Sequence, residues 1–86
     1  MEKTKAEDAM EELTLALMYL SRMKNPKEPF YTVWKNYDFS TIDKLDEEGY
    51  IGQSRKMAVF REEGLERARK ILEKYNISDW PEGTFT

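Results

Sequence analysis

The chain contains no cysteine and no histidine. Without cysteine there is no disulfide, no thiolate nucleophile and no thiolate metal ligand. Without histidine, the commonest general base near neutral pH and the commonest metal ligand are both missing. Four glycines and three prolines are scattered through 86 residues. No glycine-rich phosphate loop or nucleophile motif can be assembled from them. Long hydrophobic runs are absent too. The longest lies within residues 15–20, far short of the roughly 20 residues that a membrane span needs. The first eight residues are mostly charged, so no signal peptide is expected and the reading is a soluble, cytoplasmic protein. Carboxylates are plentiful, in the pairs and triplets Glu11-Glu12, Asp46-Glu47-Glu48 and Glu62-Glu63. Neighbouring carboxylates on a helix point about 100° apart, so they do not converge on one ion. No EF-hand spacing accompanies them. Neither a metal nor another cofactor is expected, and catalysis is not expected either.

What the chain does contain is enough for one small domain, read as residues 1–76, with a tail at 77–86. The net charge is −3 and the pI is near 5.0. Nucleic-acid-binding domains are usually basic, so the balance points away from them.

Hydrophobic spacing divides the domain into elements. Thr4 and Glu7 fit a capping box, which starts a helix near Lys5. Ala6, Met10, Leu13, Leu17 and Leu20 then recur at three- and four-residue spacing, a helical stripe expected to face the core over roughly 19 residues. Leu15, Met18 and Tyr19 widen the apolar surface on another side. That second side is the candidate face for a homodimer, since two-fold interfaces are self-complementary. Asn25-Pro26 marks a turn. Phe30, Val33, Trp34 and Tyr37 sit at i, i+3, i+4 and i+7, predicting a short aromatic helix opened by Pro29. Phe30, Tyr31 and Val33 also have strand propensity, but the spacing favours helix.

Asp38 is placed to cap the next helix, with Ser40 as the alternative cap. Phe39, Ile42 and Leu45 form its buried side. Gly49 stands where a left-handed helix end is wanted, and Tyr50 can fold back on Leu45. A hairpin follows, with Ile51 opening one strand, a cationic turn over residues 52–56, and Met57–Arg61 as the second strand. Ala58 and Phe60 share one face, Met57 and Val59 the other. Glu62 and Glu63 favour a helix start. Leu65, Ala68, Ile71, Leu72 and Tyr75 carry the stripe to Asn76. In the tail, Trp80 is expected to dock on the domain or, as the alternative, on a second chain, because large apolar side chains are rarely left in water. The expected core is Leu13, Leu17, Leu20, Trp34, Phe39, Ile42, Leu45, Phe60, Leu65 and Leu72.

The predicted order is mainly helical α+β and winged-helix-like: three helices, a short hairpin and a long last helix. In such a fold the Asp38–Glu48 helix would be the DNA-reading one. Its five carboxylates, Asp38, Asp43, Asp46, Glu47 and Glu48, oppose only Lys44. A surface that binds by releasing cations from phosphates should not be so acidic. Asp43, Asp46 and Glu47 are therefore candidate contacts to a protein partner. Arg55 and Lys56, at the hairpin turn, are the candidate nucleic-acid contacts. Arg22, Lys24 and Lys27 lie near the first loop. The cations of the last helix read as ordinary surface pairing with Glu66 and Glu73.

The segments LALMYLS, VWKNYDFSTIDKLDEEGYI and SRKMAVFREEGLERARKILEKY resemble a family of small, uncharacterised bacterial proteins, a domain of unknown function. Trp34, Tyr37, Gly49 and Glu62-Glu63-Gly64 look like its recurring positions. That resemblance implies no activity. More remotely, KLDEEGYI, the hairpin and EEGLERARKIL resemble winged-helix regulators of the multiple-antibiotic-resistance and phenolic-acid-repressor types. In those regulators a threonine or serine usually caps the last helix, where this chain has Arg61, and the wing is longer and more basic. The expectation is a non-enzymatic binding or regulatory module whose partner is a protein or a second copy of itself. The alternative is a winged-helix DNA-binding transcriptional regulator, with weak DNA binding.

Overall fold

A computed structural model describes residues 5–24, 27 and 30–77. The elements are helix α1 (Lys5–Leu20), strands β1 (Met23–Lys24) and β2 (Tyr31–Trp34), helix α2 (Phe39–Glu47), strands β3 (Ile51–Gln53) and β4 (Met57–Phe60), and helix α3 (Glu62–Glu73). The four strands form one antiparallel sheet in the order β1-β2-β4-β3. The domain is α+β. α1 packs against both α2 and α3.

One predicted element changes type. The segment read as a short aromatic helix is β2, which pairs Thr32, Val33 and Trp34 with Val59, Ala58 and Met57. The helical spacing of its aromatics is coincidental. Tyr-Thr-Val-Trp is a run of strand formers, and a waiting partner strand decides between the two readings. Val33 is buried while Trp34 is half exposed, as the two-residue period of a strand requires. No helix precedes α2 across a short turn, so the described residues contain no helix-turn-helix.

Both ends of α2 form as read. Asp38 caps its start. At its end Gly49 takes φ +84°. The Gly49 N–H donates to the Asp46 carbonyl and the Tyr50 N–H to the Leu45 carbonyl, each at 3.0 Å. This pair of bonds is the Schellman arrangement. α3 ends the same way. Asn76 takes φ 60°, its N–H donates to the Glu73 carbonyl, and the Ile77 N–H donates to the Leu72 carbonyl. Ile77 then packs, half buried, against the core. Trp80 and the rest of the tail lie outside the described residues, as does the Thr4 cap.

The core joins Leu15, Met18 and Tyr19 of α1 to Ile42 and Leu45 of α2. The sheet adds Val33, Ile51, Ala58 and Phe60, and α3 adds Ala68, Ile71 and Leu72. Of the expected core, Ile42, Leu45, Phe60 and Leu72 are buried, and Leu20 and Leu65 are partly so. Leu13, Leu17, Trp34 and Phe39 are instead exposed. Phe39, the first residue of α2, is 70% exposed. The α1 residues have exchanged roles with those assigned to the dimer face.

Gly64 sets how closely α3 approaches the hairpin. It is buried, and a Cβ there would collide with the Tyr50 carbonyl oxygen. That same carbonyl accepts the Arg61 N–H at 3.0 Å. Arg61 gives no side-chain cap to α3. Its guanidinium turns back instead, Nε donating to the Ile51 carbonyl at 3.3 Å.

Candidate interaction surfaces

The acidic helix is held in place by its own carboxylates. Asp38 Oδ2 accepts from Ser40 Oγ (2.8 Å), the Thr41 N–H (3.0 Å) and Thr41 Oγ1 (3.0 Å). These bonds, the Ser40 hydroxyl first, hold the Asp38 carboxyl below its ordinary 3.8. A lowered folded pKa contributes stability above the ordinary value and loses it as pH falls through the lowered one. The melting-temperature gap between wild type and Asp38→Ala should therefore be widest near pH 7 and should narrow below pH 3.8. Thermal melts across about pH 7 to 3 check this. A gap constant with pH would mean that the capping bond owes nothing to the charge.

Asp43 and Asp46 are brought together by one side chain. Gln53 of β3 donates through Nε2 to Asp43 Oδ1 (3.1 Å) and to Asp46 Oδ2 (2.9 Å). Part of the acidic surface is thus used to fasten α2 to the sheet edge. Glu47 is exposed at the end of the helix. Arg55 and Lys56 are exposed at the tip of the β3–β4 hairpin. Lys35 joins them, a cation missed in the sequence. Its N–H donates to the Lys56 carbonyl (3.2 Å) and its Nζ to the Ser54 carbonyl (3.1 Å). Only strand pairing brings Lys35 there, so spacing held no signal for it.

Arg22 does not contribute to an open basic loop. It is buried, with its guanidinium 4.0 Å from the Tyr19 ring centroid and 4.9 Å from that of Tyr31. Nη1 donates to the Tyr19 carbonyl at 2.9 Å. Arg69 Nε reaches the Tyr19 hydroxyl at 3.2 Å, which raises the Arg69 pKa. The cations of α3 also depart from expectation. Arg67 and Lys74 pair with Glu12 of α1, at 2.8 and 3.1 Å. They tie two helices together rather than pairing along one.

A cleft of about 250 Å³ lies among the helices, lined by carboxylates including Glu11, Glu12 and Glu48, with Arg67, Leu45 and Tyr50. No group of three metal-ligating side chains converges among the described residues.

The most distinctive surface is on α1. Leu15, Met18 and Tyr19 were the candidate dimer face, and they are 1%, 0% and 6% exposed. They fill the core and cannot meet a partner. On the opposite side Met10, Leu13 and Leu17 are 49%, 50% and 54% exposed. Both stripes have helical spacing, so periodicity alone did not rank them. The buried side recruits neighbours on α2, α3 and the sheet. The outward side carries Ala6, Met10, Leu13 and Leu17 at intervals of four, three and four, and Leu20, next in the stripe, is partly buried against the core. A strict stripe of that kind is the narrow seam of a helix pair rather than the broad face of a core helix.

Among the described residues, a four-stranded antiparallel sheet with three helices defines a small α+β domain. The chain belongs to the family described as Domain of unknown function (DUF6429), which matches residues 6–78. No curated protein and no solved structure matches it. No helix among the described residues is long and apolar enough to cross a membrane.

Proposed function

We propose that this chain is a non-enzymatic protein-interaction module whose working surface is the outward face of α1. The observation that carries this reading is the exposed, uncharged stripe Met10, Leu13 and Leu17 on a helix whose opposite side already fills the core. Contiguous apolar surface on a small monomer marks an interaction site more often than chance. Asp43 and Asp46 lie on α2, a second and more polar surface with Glu47 exposed beside it.

The reading against catalysis rests on what the polar groups are doing. Asp38 caps a helix, Asp43 and Asp46 hold Gln53, and Glu12 holds Arg67 and Lys74. These are structural roles, in a chain that has neither histidine nor cysteine to serve as base or nucleophile.

DNA binding is the second reading, favoured by the convergence of Lys35, Arg55 and Lys56 on one hairpin tip. Three cations release about three counterions, so the salt slope should be shallow, about −2 to −3. Specific regulators use base contacts as well as phosphate contacts. A fluorescence titration against a library of duplexes near 150 mM salt should give weak binding with no sequence preference. Nanomolar binding to one defined duplex, abolished by Arg55→Ala with Lys56→Ala, would replace the protein-binding reading with the DNA one.

A further inference from the structure

We infer that the open face of the sheet is a binding surface for single-stranded nucleic acid, with a base stacked on Trp34. The inference is independent of the α1 reading and adds a second surface. Residues directly paired in an antiparallel sheet share a face. Val33, Ile51, Ala58 and Phe60 point into the core. On the opposite face Thr32 pairs with Val59 and Trp34 with Met57, and Gly52 stands beside Val59. None of these five belongs to the core cluster, and Trp34 is 50% exposed. The face is therefore uncharged and presents an indole to solvent.

Charge decides what such a face takes. The segments that build this part of the sheet, residues 30–37 and 50–61, hold Lys35, Arg55, Lys56 and Arg61 and no carboxylate. The chain as a whole stands at −3, and α1 sets Glu7, Asp8, Glu11 and Glu12 against Lys5 alone. Among the described residues none of those four sheet cations pairs with a carboxylate, whereas Lys44, Arg67 and Lys74 do. Lys35, Arg55 and Lys56 stand at the hairpin end, next to the Trp34–Met57 pair. Arg61 stands at the other end of β4. Its backbone is extended, and its Nη2 lies 3.5 Å from where a Gly52 Cβ would project on the open face. About 16 Å of extended chain separates the two cationic ends. An uncharged aromatic strip between cations suits a strand that lays its phosphates on the cations and its bases on the ring. Antiparallel sheets that read single-stranded RNA stack two or three bases in this way. A duplex could meet the same cations, but its bases stay stacked within it and offer Trp34 nothing. With one ring and four cations, sequence preference should be slight.

Anisotropy of labelled oligo-uridine and oligo-thymidine strands, titrated with the full chain at low salt, tests the inference. The single strands should bind at least about fivefold more tightly than a duplex of equal length. Four phosphate contacts predict a salt slope of about −3, falling to about −1.4 in Arg55→Ala with Lys56→Ala. Trp34→Ala should weaken binding at least about fivefold, while Trp34→Phe, which keeps a ring, should retain most of it. The Trp34 indole N–H signal should shift when a strand is added, with the Met10, Leu13 and Leu17 methyls unmoved. Tighter binding of uridine or of thymidine strands supports the face in either case and assigns the source as RNA or DNA. Equal binding of duplex and single strand, unchanged by Trp34→Ala, would overturn the stacking site. So would single strands that fail to bind at low salt, whatever the α1 face does. An acidic peptide that moves the indole signal where no strand does would give the face to a protein instead.

Discussion

Gly64→Ala is expected to unfold the domain or bring it close to unfolding. The added methyl meets the Tyr50 carbonyl oxygen, which is backbone and itself bonded to the Arg61 N–H. Neither group can swing aside as a flexible side chain would. The first turn of α3 would have to lift from the hairpin, and with it Ala68, Ile71 and Leu72, which are buried in the core. Overpacking costs typically 1–3 kcal/mol, and a backbone collision belongs at about 3 kcal/mol or beyond. Small domains have about 5–15 kcal/mol in total. Alanine's better helix propensity, worth about 1 kcal/mol over glycine, offsets only part of the loss. Gly52→Ala supplies the control, since its Cβ would meet the Arg61 guanidinium only at 3.5 Å, an ordinary contact. Urea melts of both variants give the comparison. Equal stabilities would remove the close approach of α3 from the account.

Truncation of adjacent residues on α1 should have opposite consequences. Met18→Ala removes a side chain with no exposure and is expected to cost about 2–5 kcal/mol, the range for large-to-alanine changes in a core. Met18 is 0% exposed and Leu17, one residue earlier, is 54% exposed. Leu17→Ala is expected to stay within about 0.5 kcal/mol, as surface substitutions usually do. Both should be measured at low concentration, so that any association through the exposed Leu17 stays out of the comparison. A larger loss for Leu17 than for Met18 would restore the face assignment that the spacing suggests.

That assignment shows where local reading stops. α2, the hairpin and α3 were legible because their signals are local and stereochemical. Asp38 accepts a backbone N–H three residues on, and Gly49 tolerates a positive φ. Alternation put Ala58 and Phe60 together on one face of β4 and Met57 and Val59 on the other, and the first of these faces is the buried one. β2 was not legible because its type depends on Met57–Val59, more than twenty residues away in sequence. The core face of α1 was hidden for a different reason. Two apolar stripes lie on opposite sides of one helix, and each satisfies the same period. Which one goes inside depends on where α2, α3 and the sheet present their own apolar side chains. The buried side even includes Glu11, 7% exposed, a residue that sequence reading assigns to solvent.

The surface sites follow the same division. The candidates on α2 and at the hairpin tip were found as sequence clusters. Lys35 and Gln53 complete them through strand pairing, which no spacing rule reports. Gly64 stood in the sequence only as part of a family-like Glu-Glu-Gly step. Its physical reason, the contact with Tyr50, needs the fold.

The central claim is that the outward face of α1 is the working surface. It is tested most directly by methyl and backbone-amide NMR spectra of the full chain, recorded over a dilution series and then with duplex DNA. The account predicts that the Met10, Leu13 and Leu17 methyl signals shift with concentration, while the Met18 and Ile42 methyls and the Arg55 and Lys56 amides stay in place. DNA should move little. Signals of Arg55, Lys56 and α2 that shift sharply on adding DNA, with the α1 methyls unmoved at every concentration, would contradict it.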